Sequence, residues 1–183
     1  TFVTTVFVNM VAGPIDMNNG MFDLRQGHTT RVDESQPVPS TLVSEAARTL
    51  IAFSGVTILP DIPEYYRKYP ALLNFLSAQK MPWKESRTLA GEIGEYIVMM
   101  RETEDAYLVG AATNESGRTI DLPLSFLEKG KYTVEVIEDG DDAHYLTNRE
   151  SLKVTTWQLT NNDKLALKLA PGGGACLVIK KTP

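Results

Sequence analysis

Asp16, Asn18 and Asn19 are the side chains whose type and spacing best fit a polar binding site in this 183-residue chain. They follow directly on an apolar run, residues 3–11, that ends in a Gly-Pro turn. Val, Phe and Met predominate in that run, which is typical of a strand covered on both faces in a parallel α/β sheet. Because the active sites of α/β barrels form at the carboxyl ends of the strands, we expect Asp16 to lie at a functional rim.

The elements after this turn fit the same arrangement. Residues 39–55 predict a helix with Ser40 or Thr41 as N-cap and a glycine as its end. A short apolar run at 56–59 predicts a second strand, and prolines open two further predicted helices at 63–69 and 70–79. Strand, helix, strand and helix make residues 1–82 two βα units. Two such units suggest the last part of a (β/α)₈ barrel.

The pattern changes after Trp83, where we place a domain boundary. Residues 83–183 show short strands separated by turn residues, and some of them alternate apolar and polar positions with period two. Eight short strands in about a hundred residues indicate an antiparallel β-sandwich. The predicted strands are 87–90, 96–101, 107–113, 119–125, 132–138, 152–158, 165–169 and 176–180.

Composition excludes several classes of function. The net charge is −5 and no Lys/Arg stripe is present, so nucleic acid is not expected as a partner. No apolar run approaches the roughly 20 residues that span a bilayer, so no membrane partner is expected either. Cys176 is the one cysteine, and within its apolar strand we interpret it as a core residue rather than a nucleophile.

No metal site is expected in this chain. His28 and His144 fall in different predicted domains, without cysteine or carboxylate at ligand spacing. The acidic turn at 139–142 resembles part of a calcium loop but lacks the distal glutamate that such loops need.

Two βα units alone cannot close a barrel, and they would leave apolar strand faces in water. Thr1 begins almost inside the first predicted strand. We therefore expect a fragment of a larger polypeptide, and we expect it to self-associate through residues 1–82.

Three segments carry a resemblance to a known family: Met10-Val-Ala-Gly-Pro-Ile-Asp-Met17, the predicted helix at 39–55, and residues 81–98 from Met81-Pro-Trp onward. Together they resemble the C-terminal part of glycoside hydrolase family 97, and the similarity extends over essentially the whole chain. That family contains α-glucosidases and α-galactosidases, mostly of bacterial polysaccharide-utilisation systems. The resemblance implies a barrel end followed by a C-terminal sandwich, an oligosaccharide substrate and a periplasmic location.

The resemblance places no catalytic residue in this chain. Two carboxyl groups flank the scissile bond in such enzymes. Some members also bind calcium, and all of these positions are expected upstream of Thr1, so the fragment alone is expected to be inactive. The choices between glucosidic and galactosidic bonds, and between inversion and retention, stay open.

Asp16 matches the aspartate of the family's Ala-Gly-Pro-Met-Asp motif, with Ile15 in place of Met. It could contact sugar hydroxyls or brace a glutamate, or it could cap the backbone of the following loop. Asn18 and Asn19 could line a sugar subsite or form a tight turn. The alternative function for the chain is a non-catalytic module whose sandwich binds carbohydrate or serves as a structural support.

Overall fold

The computed structural model describes residues 2–16, 18–24, 38–54 and 57–182. Helices lead the chain and strands follow. The helices are α1 (Phe2–Ala12), α2 (Leu42–Ile51), α3 (Pro63–Arg67) and α4 (Pro70–Ser77). The strands are β1 (Glu85–Glu92), β2 (Tyr96–Glu102), β3 (Tyr107–Thr113), β4 (Arg118–Pro123), β5 (Lys131–Asp139), β6 (Leu152–Thr160), β7 (Lys164–Leu169) and β8 (Gly174–Lys181).

The strands form two antiparallel sheets. One has six strands in the order β1-β2-β3-β8-β5-β6, and the other pairs β4 with β7. Side chains from both sheets, among them Met100, Leu122, Val134 and Leu167, form one buried apolar cluster between them. The predicted antiparallel sandwich is therefore confirmed, and each predicted strand after residue 83 overlaps an observed one.

The helices cover the other face of the larger sheet. Leu50 and Ile51 of α2 share a second buried cluster with Leu108 of β3 and Val178 of β8. Gly110 of β3 allows this close approach, because a Cβ there would lie 2.9 Å from the carbonyl oxygen of Ala47. Helix layer, large sheet and small sheet thus stack in that order. The predicted boundary at residues 82 and 83 stays a prediction.

The predicted strand at 3–11 is wrong, because these residues form helix α1. An apolar run of this length does not separate a strand from a buried helix by periodicity. A strand needs a hydrogen-bonded neighbour, whereas a helix pairs its own backbone groups. Val3, Val6 and Asn9 are the buried positions of α1, spaced three apart along one helical face.

The second predicted strand is not found either. Residues 57–60 are irregular, and the first position of the predicted run, residue 56, lies outside the described residues. Hence the part of the chain that the structure describes contains no barrel-end βα unit. The predicted helices are confirmed at α2, α3 and α4, with Thr41 as the N-cap of α2, where its hydroxyl accepts a bond from the Ser44 amide at 3.2 Å.

The sequence predicts that apolar residues in the first 82 positions are left in water, and the structure bears this out only in part. Val6 is only 1% exposed, whereas Val8 and Ile58 are 62% and 60% exposed. None of the helices in the described ranges is long and apolar enough to cross a membrane.

Candidate functional site

The predicted binding loop lies in the irregular segment between α1 and residue 24. Gly13, in the left-handed region at φ 113°, ends the helix, and the Ile15 amide donates to the Phe53 carbonyl at 2.9 Å. Asp16 therefore follows a helix rather than the carboxyl end of a parallel strand. That part of the prediction is wrong, since the strand itself is absent.

The three predicted site residues differ in their exposure to solvent. Asp16 and Asn18 are exposed, whereas Asn19 is only 5% exposed. Asp16 has no hydrogen bond or ion pair to any residue in the described ranges, and Met17, the first residue of the loop it was predicted to cap, lies outside them. The structure thus leaves the Asp16 carboxylate and the Asn18 amide open to solvent and turns Asn19 inward. Their role as substrate contacts stays a prediction.

Asp61 and Tyr66 fix the end of this loop. The Asp61 carboxylate accepts hydrogen bonds from the amides of Phe22 and Asp23 at 2.8 and 2.7 Å. The Tyr66 hydroxyl accepts from the Asp61 amide at 3.0 Å and donates to the Gly20 carbonyl at 3.1 Å. Burial raises the pKa of Tyr66 to about 12, although the hydrogen bond from the Asp61 amide acts to lower it. The Tyr66 hydroxyl is therefore neutral at physiological pH and can donate its hydrogen bond.

Arg101 is a buried cation that the sequence did not single out. Its Nε and Nη2 donate to the carbonyls of Leu50 and Ile51 at 3.2 and 3.1 Å, at the carboxyl end of α2. The guanidinium lies 4.5 Å from the ring centroid of Trp83. Burial lowers the pKa of Arg101 to about 10, which leaves it charged at neutral pH, where it complements the negative end of the helix dipole.

A cleft of about 490 Å³ lies at the junction of helices and sheet. Phe2 of α1, Arg48 of α2, Glu115 after β3 and Tyr145 after β5 line it. No sequence motif marked these residues, because four separate segments supply them. A local signal is the i, i+3 pair of Glu45 and Arg48, the two charged residues of α2.

No group of three or more His, Cys, Asp or Glu residues in the described ranges could hold a metal ion. His144 stacks on Tyr145 with ring centroids 4.9 Å apart, and His28 lies outside those ranges. Burial raises the pKa of the Cys176 thiol well above its usual value, which agrees with a core residue.

A family model described as "Glycosyl-hydrolase 97 C-terminal, oligomerisation" matches residues 82–180. This chain belongs to glycoside hydrolase family 97. The predicted resemblance is therefore confirmed, and the matched range covers the sandwich.

Two curated relatives agree with this family 97 membership. The chain is 31% identical over 175 residues to the "Retaining alpha-galactosidase" of Bacteroides thetaiotaomicron, a match over 95% of this chain and 26% of the relative. It is 27% identical over 139 residues to the "Probable retaining alpha-galactosidase" of Streptomyces bingchenggensis, a match over 76% of this chain and 20% of the relative. The chain thus spans about a quarter of the length of the curated relatives it matches.

Solved structures show the same fold. A glycoside hydrolase family 97 enzyme from Pseudoalteromonas sp. strain K8, solved in complex with acarbose, superimposes with a TM-score of 0.89 at 29% identity. The match covers all of this family 97 chain and 28% of the Pseudoalteromonas chain. A beta-arabinopyranosidase shares the fold with a TM-score of 0.74 at 19% identity.

Proposed function

We propose that this chain is the C-terminal part of a glycoside hydrolase that cleaves α-glycosidic bonds of oligosaccharides, with α-galactosides as the preferred substrates. The observation that carries the proposal is the 31% identity to a retaining alpha-galactosidase over 95% of this chain. The Pseudoalteromonas structures, with acarbose and with panose, support an oligosaccharide substrate. An α-glucosidase remains the alternative that the assay must test.

In this proposal the chain supports the catalytic part and supplies no catalytic carboxylate. Retaining glycosidases use one carboxyl group as acid and base and a second as nucleophile. We place both on the part of the enzyme that lies outside this chain, and a calcium site in the intact enzyme stays a prediction. Asp16 and Asn18, both exposed, are proposed as contacts of the loop with substrate hydroxyls, and Asn19 as the buried support of that loop.

The experiment compares the full-length enzyme with this chain alone. We expect the full-length enzyme to hydrolyse p-nitrophenyl α-galactoside faster than the α-glucoside, with the α-anomer of galactose formed first. The isolated chain should show no turnover. Faster cleavage of the glucoside would refute the galactoside preference, and turnover by the isolated chain would refute the supporting role.

Asp16 is tested in the full-length enzyme by Asp16→Asn. Loss of a charged hydrogen bond to a sugar hydroxyl should lower kcat/KM by about tenfold. Asp121→Asn is the matched control, because Asp121 is an exposed aspartate on β4 that pairs only loosely with Lys164 at 3.6 Å. Equal kcat/KM in both variants would remove Asp16 from the substrate site.

Self-association through residues 1–82 is also proposed. The outer side of α1 exposes Val8 and Val11, the latter to 92%, and no charged residue precedes Asp16. The proposal that a second copy covers these valines rests on their exposure. The family description names oligomerisation for residues 82–180, which lie outside α1. A periplasmic location is proposed from the family resemblance, and fractionation of the source cells tests it.

A further inference from the structure

The cleft between the helix layer and the sheet has the size of a small-ligand site. Its volume of about 490 Å³ falls within the range of pockets that bind small molecules. It opens between the start of α1, the middle of α2, the turn after β3 and the loop after β5. These four segments come from distant parts of the sequence, so the cleft is a product of the tertiary fold.

Three polar side chains at the cleft retain hydrogen-bonding capacity. Arg48 Nη1 donates to Glu45 at 2.9 Å, and the side chain as a whole is 17% exposed. Its Nε is buried out of reach of a ligand and has no partner among the described residues. Glu115 is exposed, and its carboxylate has no partner within the described ranges. The same holds for the hydroxyl of Tyr145, which is half-buried. A guanidinium, a carboxylate and a phenol offer both donors and acceptors to a ligand.

The rest of the lining includes the polar residues Thr113 and Asn114 and an apolar part formed by Phe2, Val3 and Pro39. The Phe2 ring centroid lies 4.8 Å from the Arg48 guanidinium carbon, and Val3 and Pro39 adjoin it. Tyr145 presents a second ring, which is stacked on His144. A ligand that fits this surface has polar edges and an apolar face.

The walls of the cleft are fixed by the backbone. The Gly172 amide donates to the Asn114 carbonyl at 2.7 Å, and the Tyr145 amide donates to the Pro171 carbonyl at 3.2 Å. Gly172 has a φ of 65°, and a Cβ there would lie 2.6 Å from the Cβ of Tyr145. The ring of Tyr145 can therefore approach only because this position is glycine, and the site is largely formed before a ligand arrives.

The charges disfavour an anionic ligand. Arg48 is balanced by Glu45, and Glu115 adds a second negative charge to the cleft. An anionic ligand would be repelled by this excess negative charge, whereas hydroxyl groups can hydrogen-bond both to a cationic donor and to a carboxylate acceptor. A sugar ring has hydroxyl edges and a C–H face that packs on aromatic rings.

We propose that the cleft formed by Phe2, Arg48, Glu115 and Tyr145 binds a neutral sugar unit of an oligosaccharide. The inference rests on the proposed function for the chemical class of the ligand. It assigns to this chain a carbohydrate contact that uses none of Asp16, Asn18 and Asn19.

The test is a titration of the ¹⁵N-labelled 183-residue chain with methyl α-galactoside and with maltose, followed by amide NMR. We expect saturable shifts at Asn114, Glu115 and Gly172 with at least one of these sugars. Galacturonate, the anionic probe, should bind more weakly than methyl α-galactoside. Absence of saturable shifts with both sugars, or tighter binding of galacturonate, would overturn the proposal.

Two variants locate the site without disturbing the fold. Glu115→Gln and Tyr145→Phe should each weaken binding by about fivefold, the effect of one net hydrogen bond. Glu104→Gln is the matched control, because Glu104 is also exposed and makes no hydrogen bond or ion pair among the described residues, with only a longer-range attraction to Lys80. Unchanged affinity in both cleft variants, or shifts centred on the exposed Trp157 instead, would contradict the assignment.

Failure of this proposal is distinguishable from failure of the proposed function. Hydrolysis by the full-length enzyme reports the function, and sugar binding by this chain reports the cleft. An active enzyme whose C-terminal chain binds no sugar would overturn only the cleft, and binding without hydrolysis would overturn only the function.

Discussion

Replacement of Asp139 by asparagine should change how the stability of this chain depends on pH. Asp139 is the last residue of β5 and is 1% exposed. Its Oδ2 accepts hydrogen bonds from the amides of Ala170 and Gly174 at 3.0 and 2.8 Å, which ties β5 to the turn between the two sheets. Burial raises the pKa of Asp139 to about 6, against the opposing effect of the Thr41 hydroxyl and these two amides.

The size of the effect follows from the two pKa values. The folded value of about 6 lies above the ordinary value of 3.8, so the folded state binds the proton more tightly than the unfolded state does. Each pH unit of difference corresponds to about 1.4 kcal/mol, so ionisation of Asp139 costs about 3 kcal/mol of stability by neutral pH. The stabilising contribution is complete below pH 3.8 and is lost as the pH rises through about 6.

Asparagine keeps the acceptor oxygen and cannot ionise. We therefore expect the unfolding free energy of wild type, relative to Asp139→Asn, to fall by about 2 kcal/mol between about pH 4.5 and pH 7. Urea denaturation of both proteins across this range measures the difference, and all other titrating groups cancel in it.

Asp141→Asn is the control, since it removes the same charge two residues away. Asp141 is exposed, and its hydrogen bond to Lys168 lowers its pKa, so its small contribution has the opposite sign and is lost as the pH falls. The unfolding free energy of wild type minus that of Asp139→Asn should fall as the pH rises. If this difference stays constant, or grows with pH, the reasoning about the buried carboxyl group is refuted.

Three further predictions concern the helix layer. Arg101→Lys should lower the unfolding free energy in urea by about 1.5–3 kcal/mol, because lysine lacks the fixed planar guanidinium whose Nε and Nη2 reach the two carbonyls at the end of α2; an unchanged midpoint would contradict that role. Val11→Lys should shift the chain towards monomer in sedimentation velocity without loss of stability, and an unaltered association constant would exclude the outer side of α1 as the interface. Asp61→Asn should speed hydrogen exchange of the Phe22 and Asp23 amides by about fivefold or more, the effect of weakening one charged acceptor; unchanged exchange would show that the loop is held elsewhere.

The sandwich could be predicted because its signals are local. The alternation at 132–138 and 164–169 and the polar turns between strands place each strand near its observed bounds. Family membership likewise rested on contiguous segments such as residues 81–98. These features depend on residues that are neighbours in the sequence, and not on residues that pack across the core.

The helix at 2–12 could not be predicted from the same signals. Its residues are β-branched and apolar, and a strand would satisfy that composition equally well. Whether such a run becomes a strand depends on a neighbour that can pair with it, and none of the described strands does. The position of Asp16 was wrong for the same reason, since it followed from the strand.

The sequence by itself determined the antiparallel strands, the family and the helices α2, α3 and α4, because capping residues, turn residues and periodicity act within a few positions. Only the tertiary structure decided that Arg101 caps α2, that Asp139 joins the two sheets, and that Phe2, Arg48, Glu115 and Tyr145 share one cleft. Each of these arrangements brings together residues that lie far apart along the chain. Burial, which sets the pKa values of Arg101 and Asp139, exists only once the layers have packed.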